Sequence, residues 1–149
     1  MHEDITVRCD TIEECYEFML AYAGKGFTGG ESSQSSTQIR DYLERAATAL
    51  LGLSEAYAAA IEQQNLGPAE SYRAFLGVIE RDAQDALAAV EMVLAQPTLS
   101  SQLIDNLNAS THLRALLTDL FLVDEILKQH RTQVSATAAP NSGPSVAPR

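Results

Sequence analysis

Two apolar runs with the same spacing flank the tetrapeptide Asn65-Leu66-Gly67-Pro68. In the first, Ile39, Leu43, Ala46, Leu50, Leu53, Tyr57 and Ala60 recur at alternating steps of four and three. Tyr72, Leu76, Ile79, Ala83, Ala86, Val90 and Val93 repeat that rhythm in the second. Such spacing gathers its members on one stripe of an α-helix, whereas a strand needs alternation at every second residue. A helical hairpin is therefore predicted, with arms from about Ser36 to Gln64 and from about Ala69 to Gln96. Pro68 falls where a first-turn proline is tolerated, and Pro97 closes the second arm. Tyr42, Ala49, Ala56 and Ile61 widen the first stripe beyond a two-helix seam, so more than one partner helix is needed. Arg40, Asp41, Glu44, Arg45 and Glu55 fall largely outside the stripe and read as its solvated side.

The flanking segments supply those partners. Thr11 and Glu14 have capping-box spacing, which predicts a short helix from Asp10 or Thr11 to Gly24 with Ile12, Cys15, Phe18, Met19 and Tyr22 on its buried face. Before it, Ile5 to Val7 favours extended backbone but has no strand to pair with. A further helix is expected from Ser100 or Ser101 to about His130, carrying Leu113, Leu116, Leu120, Val123 and Leu127 in the same rhythm. Leu117, Phe121, Leu122 and Ile126 spread its apolar surface around most of the circumference, which suits a central or self-associating helix. Asn106 to Thr111 combines weak helix formers, so an irregularity is expected there. From Thr132 onward the chain has no apolar period and almost no charge before Arg149, the composition of a disordered tail. The expected fold is all-α, an antiparallel helical bundle of one short and three long helices over 1–131, with a disordered C-terminal tail over 132–149.

A chain of 149 residues can bury one hydrophobic core without disulfide or metal support. Its net charge is −10, and the ten basic residues are scattered and outnumbered two to one by acidic ones. That balance argues against binding nucleic acid or an anionic membrane surface. The acidic start lacks the apolar run of an export signal, and no stretch reaches the roughly 18 to 20 apolar residues of a membrane span. A cytoplasmic location is the resulting expectation, and Asn108-Ala109-Ser110 as a glycosylation sequon has no meaning without export.

No reaction chemistry stands out. Cys9 and Cys15 match no zinc or redox spacing and read as reduced thiols, Cys15 as a core residue. The loop from Gly24 to Ser36 is rich in glycine and serine but lacks the Walker order, and no strand precedes it. Phe27 within it either tucks back onto the helices or is offered to a partner, with tucking back favoured. Neither Glu-x-x-His nor His-x-x-x-His occurs, so the ligand pattern of di-iron bundles is missing and no metal or cofactor is assigned. The function expected is that of a small acidic cytoplasmic adaptor, accessory or regulatory protein working through contacts with another protein or a second copy of itself. A bundle holding a small ligand or cofactor between its helices is the alternative. Phe27, Tyr42, Tyr57, His112, Phe121 and Leu122 are the candidate contacts under either reading.

Overall fold

The computed structural model describes residues 2–28 and 33–138. Six α-helices run through them, with no strand among the described residues: α1 (His2–Ala23), α2 (Ser33–Leu50), α3 (Leu53–Gln64), α4 (Ala69–Leu94), α5 (Ser101–Ala109) and α6 (His112–Ala138). The chain divides into two compact units, Met1–Asp119 and Leu120–Arg149, and the division falls inside α6. In the first unit α1 packs on α2, α3 and α5, while α4 packs on α2, α3 and α5. The second unit contributes the rest of α6, on which Leu120, Val123 and Leu127 are buried.

Both hairpin stripes are largely buried. Every member of the first is in the core, as are Ile79, Ala83, Ala86, Val90 and Val93 of the second. Tyr72 and Leu76, nearest the turn, are half-buried. Two differences from the expected helices have the same cause. The first arm is broken into α2 and α3 at Gly52, whose φ of 77° is left-handed and suits a residue without Cβ. The α2 end this exposes is capped from α1, because Arg8 donates through Nη1 to the Ala49 carbonyl at 2.9 Å and to that of Leu51. Helix α1 in turn begins at His2, well before Thr11, and includes the Ile5–Val7 segment. Thr11 does not cap it; its hydroxyl donates to the Val7 carbonyl at 2.8 Å within the helix. Ile5 is buried, and Ile5, Arg8, Ile12, Cys15, Met19 and Tyr22 make one stripe that runs straight through an arginine. Arg8 is tolerated there because its stem covers apolar surface while its guanidinium serves the carbonyls of α2.

Arg40, placed by its spacing on a solvated side, performs the same service for α4. Its guanidinium donates to the carbonyls of Leu94 and Gln96, each at 2.8 Å. Helix carboxyl ends carry unpaired carbonyls and partial negative charge, so both arginines meet hydrogen-bonding and electrostatic demands together. Asn65, with φ 58°, closes α3 before the turn.

The last expected helix is two. Ser100 caps α5 by accepting from the Leu103 N–H at 3.1 Å. Thr111, with φ 66°, separates α5 from α6 within the segment of weak helix formers. Helix α6 continues to Ala138, past the point at Thr132 where composition predicts a tail; residues 139–149 of that tail lie outside the described residues. Among the described residues no helix is long and apolar enough to cross a membrane.

Candidate functional site

The polar and aromatic side chains of the first unit collect at separate places. Around the end of α1, Phe18 stacks on Tyr42 with ring centres 4.3 Å apart, and Arg45 lies 4.5 Å over the other partner's ring, that of Tyr42. Tyr22 contacts Phe27 at 5.1 Å, and its hydroxyl donates to the Leu99 carbonyl at 2.5 Å. Phe27 is half-buried and is held through its backbone to Ser101. An open cleft of about 490 Å³ beside it is lined by Gly26, Phe27, Thr28, Ser100, Ser101 and Asp105, among others.

Tyr57 lies deeper. It is fully buried, and its hydroxyl sits 3.1 Å from the Cys9 sulfur. Cys15, six residues further along α1, is also fully buried, and burial pushes its thiol up to about 12, with the Arg45 charge pulling the other way. A thiol so far from ionisation is a poor nucleophile and a poor metal ligand. Tyr72 lines a third place, a cleft of about 330 Å³ between α3 and α4 near the turn, with Ile61, Glu62, Leu66, Arg73 and Leu76. His112 opens α6 and is exposed. Tyr22, Tyr42, Tyr57 and Tyr72 thus have different neighbours. Among the described residues no group of three or more His, Cys, Asp or Glu side chains is placed to hold a metal ion.

Two features had no sequence signal that spacing could supply. Asp119 on α6 is half-buried, and its Oδ2 is shielded from solvent with no hydrogen-bond donor reaching it among the described residues. Burial first, then the neighbouring carboxyl of Asp82 on α4, push its carboxyl up to about 7. Asn108 is the other. Both polar atoms of its side chain are shielded and have no hydrogen-bond partner among the described residues.

In the second unit Phe121 and Leu122 stand next to each other on α6, each 52% exposed. Asp124, Glu125 and Lys128 are exposed on the same helix, and Ile126 is half-buried. Comparison with protein families, with curated proteins and with solved structures finds no match to the chain. What the structure defines is an all-α protein of six described helices.

Proposed function

We propose that this chain is a small acidic adaptor, accessory or regulatory protein, built as an antiparallel helical bundle and acting in the cytoplasm through contacts with another protein. The observation that carries the reading is the adjacent pair Phe121 and Leu122, two large apolar side chains more than half exposed on one helix. Burying such a pair against a partner removes apolar surface from water, and exposed charges at Asp124, Glu125 and Lys128 would form a polar rim around it. A symmetric homodimer through α6 is the simplest arrangement of this kind, because the same patch then serves both copies.

Sedimentation of the full chain and of Phe121→Glu tests the reading. A concentration-dependent dimer for the wild type, and a folded monomer for the variant with unchanged helical circular dichroism, is the result expected of self-association. For a different partner, affinity purification from the native host should recover a stoichiometric protein with the wild type and lose it with Phe121→Glu. A wild type that stays monomeric at high concentration and retains the same proteins as the variant overturns the proposal.

A further inference from the structure

We propose that the joint between α2 and α3 is a two-state latch: while Arg8 of α1 holds it, the first hairpin arm is broken at Gly52, and when Arg8 withdraws, the arm runs through as one helix. Two sets of donors compete here for the same acceptors. Arg8 Nη1 donates to the carbonyl of Ala49, at 2.9 Å, and to that of Leu51. In an unbroken helix those two carbonyls would accept from the N–H groups four residues on, those of Leu53 and Glu55. The arginine therefore stands in for bonds that the break removes, and without it the broken form leaves a helix end uncapped.

The surroundings suit the unbroken form as well. The apolar stripe crosses the joint in step, with Ala46, Leu50, Leu53 and Tyr57 at intervals of four, three and four, and all of them are buried. Its partner α4 is a single helix, Ala69–Leu94, that packs on α2 and on α3. The break turns on the φ of 77° at Gly52. The nearest atoms that a Cβ there would meet are side-chain tips, Arg8 Nη2 and Glu55 Oε1, each at 3.5 Å, which is ordinary contact. A side chain at this position is thus opposed by the left-handed backbone rather than by lack of room, and it favours the unbroken helix. On the α1 side, both carboxylate oxygens of Asp4 accept from Arg8 Nε, at 3.1 and 3.2 Å, and orient the guanidinium, while Ile5 is buried. Docking of the first two turns of α1 and the shape of the first arm are thereby coupled, because a donor that serves one of two forms shifts the balance toward it.

Gly52→Ala made in the full-length chain, alone and together with Arg8→Met, tests the latch as a double-mutant cycle. With Arg8 in place the substitution should lower the urea midpoint, because alanine must then take the left-handed conformation. With Arg8→Met that penalty should vanish or reverse. In the double variant the Cα chemical shifts across the joint, from Leu51 to Leu53, should become helical, and far-ultraviolet circular dichroism should strengthen relative to Arg8→Met alone. The same penalty in both backgrounds, or Cα shifts that stay non-helical in the double variant, would overturn the latch. Should Arg8→Met not fold, Asp4→Ala replaces it in the cycle, since it frees the guanidinium from its orienting carboxylate. The penalty of Gly52→Ala should then shrink, and an undiminished one rejects the coupling.

Discussion

Ser101 and Phe27 exchange a reciprocal pair of hydrogen bonds. The Ser101 N–H donates to the Phe27 carbonyl at 2.8 Å, and the Phe27 N–H donates to Ser101 Oγ at 2.8 Å. The same hydroxyl gives its proton to the Tyr22 carbonyl at 2.6 Å. One buried serine thereby ties the end of α1 and the start of the glycine-rich loop to the first turn of α5. The Tyr22 hydroxyl adds a further tie through Leu99.

Ser101→Ala removes an acceptor and a donor at once; it orphans the Phe27 N–H, while the Tyr22 carbonyl keeps the Lys25 N–H at 3.1 Å. A buried donor left without a partner costs about 1 to 3 kcal/mol and the lost second bond to Tyr22 about 1, so the variant should lose on the order of 2 to 4 kcal/mol in denaturant unfolding. Ser100→Ala, which removes only the helix cap to Leu103, should cost about 1 kcal/mol. Equal losses for the two would mean that Ser101 is no more than an end cap.

The division between what could and could not be read from the sequence follows from what periodicity encodes. Buried stripes are one-dimensional patterns, so Ile39 through Ala60 and Ile79 through Val93 were legible from spacing alone. Where the stripes break is a matter of single residues acting at a distance. Gly52 interrupts an unbroken apolar rhythm because Arg8, 43 positions before Leu51, supplies the donors that the new helix end needs. The first two turns of α1 were hidden by the capping-box spacing of Thr11 and Glu14, since a threonine bonding back to Val7 within a helix has the same sequence signature as one that caps it. The candidate contacts divide in the same way. Phe121 and Leu122 were visible as surplus apolar residues on a helix already furnished with a stripe. Asp119 was not, because its character comes first from burial and then from Asp82, a residue of another helix.

Burial along the hairpin is graded, and mutational cost should follow it. Leu50 is only 3% exposed, and Leu50→Ala should cost about 2 to 5 kcal/mol. Leu76 carries the same stripe position in the second arm but is half-buried beside the α3–α4 cleft. Leu76→Ala should accordingly cost less than half as much, about 1 to 2 kcal/mol. A reversed order in urea titrations would contradict the packing described for α2 and α4.

Thr111 is a β-branched residue with a left-handed backbone, φ 66°, at the joint between α5 and α6. That conformation costs an L-residue about 1 to 2 kcal/mol, and glycine avoids the cost. In return the Thr111 carbonyl accepts the Ala115 N–H at 2.8 Å and its hydroxyl donates to the Ser110 carbonyl at 2.6 Å. The first bond survives substitution, and the second is made at an exposed site where water replaces it. Thr111→Gly should therefore leave stability unchanged or raise it by up to about 1 kcal/mol, after glycine's greater unfolded-state freedom is counted. A loss larger than about 1 kcal/mol in thermal unfolding would show that the hydroxyl holds the joint.

The two thiols of α1 should behave as different chemical species. Cys9 is half-buried against the Tyr57 hydroxyl, while Cys15 is fully enclosed and its thiol is held at about 12. Six residues along one continuous helix are about 9 Å of rise, too far for a disulfide between them. A thiol reagent added to native protein should label Cys9 alone, and the second equivalent should appear only on unfolding. Cys15 also fixes a pH dependence. In the unfolded chain it ionises near 9.0, in the fold near 12, so the fold holds the extra proton between those values. Its stabilising effect is intact below 9.0 and is lost as pH rises through about 12, which makes the native protein weaken in alkali. Cys15→Ala should flatten that part of the stability curve while leaving the labelling of Cys9 intact. Two equivalents reacting at one rate in the native state, or an alkaline slope unaltered by the substitution, would show that Cys15 is not sealed in the core.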